Sequence, residues 1–214
     1  MKAHLIVFGV VAAVTAALAA ACTSGPGAPV DGSQVTSVLQ WRADKDAMFK
    51  TSKDSPLLPD ARASFTALSY WPIDTAYRVP AGLTQDRSGQ PVIIQLQTST
   101  SEKRRMQKVG TLGFTLKQQA YQLTAFADLD TNDVSQLFVP FGDLTNNKDT
   151  YGGGRYIELA RTPTGLYDLD FNRAYHPFCV FNPSYSCPVP PRENRLQVAI
   201  PVGERLSGPP PVIK

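Results

Sequence analysis

The sequence predicts a mainly β domain, an antiparallel sandwich or barrel-like sheet with an N-terminal α-helix packed on it. Three observations carry this expectation. Short runs rich in β-branched and aromatic residues recur along the chain, each bounded by Gly, Pro, Asn, Asp or Ser. No helical pattern separates them, which argues against alternating strand-helix units. Only the stretch near residues 34–51 keeps an apolar spacing suited to a helix.

Taken in order, the chain opens with an export signal over residues 1–21. Lys2 is a short basic start, Leu5 to Ala21 is uncharged, and Leu18-Ala19-Ala20-Ala21-Cys22 follows. This string resembles a bacterial lipobox, in which cleavage precedes a cysteine that then carries lipid. Ala19 stands where that motif usually has Leu, so ordinary cleavage after Ala19-x-Ala21 is the alternative. A lipid on Cys22 would hold the protein at a membrane, each buried acyl CH₂ contributing about 0.8 kcal/mol. Residues 22–33, rich in Ser, Gly and Pro, read as a flexible tether.

A single β-rich domain is expected over 34–205, followed by a Pro-rich tail at 206–214. Ser33 is placed to cap a helix over Gln34 to Thr51, with Val35, Val38, Leu39, Trp41, Met48 and Phe49 near helical spacing. Ser55-Pro56 ends it, and Asp60 to Leu68 suggests another short helical turn. The β-type runs are Val92–Leu96, Thr111–Leu116, Tyr121–Phe126, Leu137–Phe141, Tyr156–Leu159, Tyr167–Phe171 and Leu196–Ile200. Thr162-Pro163-Thr164-Gly165 reads as a hairpin turn. Pro177, Pro183, Pro188, Pro190 and Pro191 forbid regular structure before the last run.

Composition narrows the function classes. Export removes Lys2, leaving 20 of the 21 basic residues against 18 acidic ones, a net charge of about +2. With no larger basic face than Lys103-Arg104-Arg105 and Lys108, nucleic acid is not an expected partner. With Cys22 lipidated, Cys179 and Cys187 remain, and outside the cytoplasm two nearby cysteines are expected to pair. So short a loop gives such a bridge roughly 2.6 kcal/mol on the chain-entropy argument.

The ordered set Trp41, Phe49, Ser55-Pro56-Leu57, Tyr77-Arg78, Phe141-x-Asp143-x-Thr145, Thr150 to Tyr156, Asp170-Phe171-Asn172 and Cys187-Pro188-x-Pro190-Pro191-x-Glu193-Asn194-Arg195-Leu196 resembles the family catalogued as domain of unknown function 1684. The resemblance spans about Trp41 to Glu204 and implies bacterial and archaeal proteins often behind a lipoprotein signal. It implies no activity, substrate or cofactor. The chain departs from the pattern at His176, where Asn is common, and at Gly142, where a basic residue is usual.

No catalytic set emerges. His4 leaves with the signal, so a histidine-based triad must use His176, and the chain has no Gly-x-Ser-x-Gly elbow. The bland reading of His176 is a partly exposed ring beside Pro177. His176, Cys179 and Cys187 are proper zinc ligands without the close Cys-x-x-Cys spacing. Asp128 to Asp133 begins like a calcium loop but lacks its sixth-position Gly and twelfth-position Glu. Gly152-Gly153-Gly154 precedes a strand pattern and not a helix, so a tight turn is favoured over a phosphate cradle. No cofactor or metal is therefore expected.

What remains is a polar set beside aromatic residues: Asp143, Tyr151, Arg155, Asp170, Asn172, Asn182, Glu193, Asn194 and Arg195. One reading is a hydrogen-bond network organising the Pro-rich loop. The other is an aromatic-walled pocket fixing a polar ligand. The function expected first is an exported, lipid-anchored envelope module that binds a small polar ligand or an envelope protein, with the membrane as a partner through its lipid. An enzyme using Asp170 or Glu193 as acid or base with Arg155 or Arg195 is the alternative, and a structural envelope protein the third.

Overall fold

A computed structural model describes residues 32–85, 90–129 and 135–208 of the chain. The expected signal, the Cys22 lipidation site and the tip of the acidic 128–133 loop lie outside the described residues. Among the described residues the chain forms helix α1 (Gly32–Thr51), a short helix α2 (Pro59–Ser64) and seven strands. The strands are β1 (Arg78–Gln85), β2 (Val92–Gln97), β3 (Lys103–Leu116), β4 (Gln119–Asp128), β5 (Gln136–Phe141), β6 (Arg155–Ala160) and β7 (Leu166–Asp170). All ladders are antiparallel, in the order β6-β5-β4-β3-β1-β7, with β2 beside β3. The result is a nearly closed, barrel-like sheet carrying the N-terminal helix.

The closure has a simple cause. β6 and β7 are consecutive in sequence yet sit at opposite ends of the hydrogen-bonded path. The Thr162–Gly165 turn therefore does not make a hairpin between paired strands. It joins the two ends, and so short a connection obliges the sheet to curl until they approach.

One bulge gives the sheet two useful faces. On β3, Lys108 pairs with Phe126 and Gly110 with Ala125, leaving Val109 unopposed. Inserting one residue reverses which positions face inward. Beyond the bulge Leu112, Phe114 and Leu116 enter the main core with Leu123, Val139, Phe141, Ile157 and Leu169. Before it, Met106 turns to the other face and packs with Leu96 and Phe126, and Phe138 packs against them. Gly110 is needed at this point because a Cβ there would lie 2.3 Å from the Thr84 carbonyl oxygen of β1.

Three elements differ from the sequence expectation. β1 is absent from the predicted set because Pro80 and Gly82 interrupt its alternation, yet Val79 and Ala81 supply core positions on it. Leu196–Ile200 is not a strand. Its Leu196 and Ile200 are buried as an irregular segment, tied by Leu196 N to Gly142 O at 2.8 Å and by Leu144 N to Val198 O at 3.2 Å. Helix α1 starts at Gly32, so Ser33 lies inside it, and the helix docks with a mixed stripe of Gln34, Val38, Arg42 and Phe49 while Leu39 faces outward.

Candidate functional site

The polar residues singled out in the sequence divide into separate groups. Arg155, at the start of β6, is fully buried with its Nη2 2.7 Å from Asp143 Oδ2. It also donates to the carbonyls of Ile200 at 2.7 Å, Val202 at 2.5 Å and Glu204 at 3.1 Å. The rings of Phe141 and Trp71 flank its guanidinium. Asp143 accepts in turn from Thr145 N at 2.8 Å and Ile200 N at 3.2 Å. Burial lowers the Arg155 pKa and the Asp143 charge opposes that shift. These bonds, all made by the two Nη atoms, fasten the C-terminal segment across the core.

Asp170 and Asn172 belong to a second group. Asp170 Oδ1 accepts from Asn172 N at 2.9 Å and Asn172 Nδ2 at 2.8 Å, and Gln34 of α1 donates to Asp170 Oδ2 at 3.3 Å. Asn172 also exchanges two 2.9 Å bonds with the backbone of Asp74. Asn194 is a third. Its side chain bonds Thr124 N at 2.7 Å, Thr124 O at 2.8 Å and Pro140 O at 2.7 Å. β4 and β5 pair in register at Phe126 and Phe138 alone, so this amide substitutes for ladder bonds between them. Glu193 and Arg195 are exposed on either side of it, and Asn182 accepts from Ser184 N at 3.0 Å in a loop turn.

His176 is buried at 1% exposure, which corrects its expected position at the surface. Its amide donates to Glu204 Oε2 at 2.8 Å, and its Nε2 accepts from Tyr151 N at 3.4 Å. Burial, then the nearby Arg155 and Lys45, hold its pKa well below the usual imidazole value. Glu204 also pairs with Lys45 of α1, Oε1 to Nζ at 2.5 Å. Among the described residues no cluster of His, Cys, Asp and Glu has the arrangement of a metal site.

The concavity lies on the other face of the sheet, where the bulge turns β3 around. A cavity of about 440 Å³ is walled by Phe138, Tyr156, Tyr175, Phe178 and Tyr185, with Arg104, Asp128 and Glu158 among its polar lining. Strand register explains the set. Met106 is opposite Asp128, Phe126 opposite Phe138, and Phe138 opposite Glu158, so successive strands deliver their same-face residues to one hollow. The 175–188 segment closes the far wall. Val189 N to Gln97 O at 2.7 Å, Ser99 N to Cys187 O at 2.7 Å and Ser186 Oγ to Thr98 Oγ1 at 2.8 Å stitch it to the β2–β3 turn.

The walls are held in fixed orientations. Tyr156 stands edge to face with Phe138, centroids 4.7 Å apart, and with Tyr175 at 5.7 Å. Phe178 and Tyr185 meet in the same way at 5.4 Å. The Tyr175 hydroxyl donates to Glu158 Oε1 at 2.7 Å and the Tyr156 hydroxyl to the Pro188 carbonyl at 2.5 Å. Arg104 is ion-paired with Asp128. The result is a mostly apolar hollow with a few placed polar groups.

Cys187 lines this cavity and Cys179 lies behind it. The expected disulfide is not formed in this structure, where both are free thiols. Cys179 N donates to Cys187 Sγ at 3.3 Å, and the Cys179 sulfur is 4.0 Å from the Tyr151 hydroxyl. The adjacent Cys187 thiol lowers the Cys179 pKa to about 6, while Cys187, which donates to it, is pushed up.

The Phe138–Arg195 region contains most of the pocket wall, but none of Asp143, Arg155, Asp170, Asn172, Asn182, Glu193, Asn194 or Arg195 lines the cavity. Asp143, Arg155, Asp170, Asn172 and Asn194 tie the fold, and the pocket uses Phe138, Tyr156 and Glu158 instead. A signal for these existed: Gln136-x-Phe138 and Tyr156-x-Glu158 place rings at the outward positions of strands, where polar residues are the rule.

The sequence profile of the family described as "Protein of unknown function (DUF1684)" matches residues 63–205. A solution NMR structure of an uncharacterized protein from Haloarcula marismortui is similar over 81% of this chain and 95% of its own, with 38% identity and a TM-score of 0.64. No curated protein matches the chain.

Proposed function

From the premise that this chain belongs to the DUF1684 family of proteins of unknown function, we propose that it is an exported, lipid-anchored module that binds a small molecule in the ring-walled pocket between β3–β6 and the 175–188 segment. The single observation that supports binding is the cavity itself. Its volume of about 440 Å³ falls within the range of about 300–1,000 Å³ of ligand sites, and its walls are fixed before any ligand arrives. The Leu18–Cys22 string supports export and anchoring. In an oxidising compartment Cys179 and Cys187 would then join as a disulfide, passing two electrons and two protons to the disulfide of an exchange partner.

The carboxylate-enzyme alternative has less support, because Asp170 is engaged by Gln34 and Asn172 and neither it nor Glu193 lines the cavity. Binding is tested by titrating ¹⁵N-labelled protein with phenol, imidazole and glucose in turn. At least one should shift the amides of Tyr156, Glu158, Tyr175 and Ser186 together, and Phe138→Ala should weaken that response. Shifts scattered elsewhere, or silence from these probes and from a small organic cation alike, would overturn the reading.

A further inference from the structure

We infer that the pocket selects a small organic cation, one whose charged nitrogen carries alkyl groups; this rests on the pocket being a ligand site. Charge inside the hollow is unbalanced in one direction. Arg104 and Asp128 neutralise one another as an ion pair. Glu158, exposed on β6, accepts from the Tyr175 hydroxyl at 2.7 Å and forms no ion pair among the described residues. Among the described residues, the cavity is therefore lined by one carboxylate in excess, with five rings around it.

Rings and a single carboxylate are the chemistry that recognises an alkylated ammonium. The ring faces attract the cation through their quadrupoles, the N-alkyl groups bury against the same carbon surface, and the carboxylate adds Coulomb attraction. A compact, strongly hydrated ammonium would gain less, since it must surrender its water to an apolar wall. An anion would meet Glu158 with the Arg104 charge already engaged.

One cation already stands near the wall. Lys45 Nζ is 4.0 Å from the Tyr175 centroid, yet Lys45 does not line the cavity and its charge is matched by Glu204 at 2.5 Å. That pairing leaves the balance of the hollow unchanged. The mutually perpendicular rings are also pinned by the hydroxyls of Tyr156 and Tyr175. Little side-chain freedom remains to be lost when a ligand enters.

The test compares choline with its uncharged carbon isostere, 3,3-dimethylbutan-1-ol, on the ¹⁵N-labelled full-length protein. Choline should shift the amides of Tyr156, Glu158, Tyr175 and Ser186, and the isostere should bind about tenfold more weakly. Glu158→Gln, at an exposed position, should weaken choline binding severalfold while leaving the isostere unchanged. If both probes bind equally, or if Glu158→Gln leaves choline binding intact, the cation inference is overturned and the pocket stands as an apolar site. If neither probe moves the pocket amides while phenol or imidazole does, the cation inference again fails alone. Silence from every probe ends both readings.

Discussion

At Arg155 the guanidinium is fully buried yet has Asp143 and three carbonyls for partners. A lone charge would not survive there, and the sequence signals the pairing only in that charged residues are seldom buried alone. Which acid and which carbonyls answer Arg155 is invisible in one dimension, since the partners lie 12 to 49 positions away. His176 shows the opposite case, because its place beside Pro177 looked exposed and its ring is buried. Its folded pKa lies well below the usual value, whereas the unfolded imidazole titrates near about 6.5. Between those two values the unfolded chain binds a proton that the folded chain refuses, so stability is full above about 6.5 and falls as the pH drops toward the folded value. Urea unfolding of His176→Asn at pH 7.5 and pH 5.5 should show a smaller acid loss than the wild type. An equal loss in both proteins would place the acid sensitivity elsewhere.

Among the elements, helix α1 docks by polar groups more than by an apolar stripe. Gln34 reaches Asp170, Arg42 Nη1 reaches the Trp71 carbonyl at 3.0 Å, and Lys45 meets Glu204. The helical spacing was legible in the sequence, but a stripe containing Gln, Arg and Lys does not announce which side is buried. Lys45→Ala would leave the Glu204 carboxylate buried without its cation, a loss of about 3–5 kcal/mol. Hydrogen exchange should show α1 amides losing protection first, while an exposed control such as Gln40→Ala changes little. Lys45→Met with Glu204→Gln should recover part of the loss, because no charge is then stranded. The β3 bulge is likewise hidden in sequence, although Gly110 marks it. Its backbone lies too close to β1 for any side chain, a fact set by the partner strand and not by the local run.

For the whole molecule, the pocket is assembled from residues 104 to 188, drawn from four strands and one loop. Its placement on the face away from the main core follows from the bulge and the curl of the sheet together. The export reading is tested at this scale: Cys22→Ser should move the protein from the membrane fraction to the soluble fraction, and unchanged membrane retention would rule the lipid anchor out. On the sequence alone, alternation and turn residues determined the mainly β class, six of the seven strands and the first helix, because those depend on neighbours within a few positions. The polar residues it singled out turned out to lie in three separate networks and on loops. Only the tertiary structure decided that Phe138, Tyr156, Glu158 and Tyr175 share a hollow, and that His176 and Arg155 are interior. Cross-strand register and chain closure set which side chains meet, and neither is encoded in the spacing of residues along a single run.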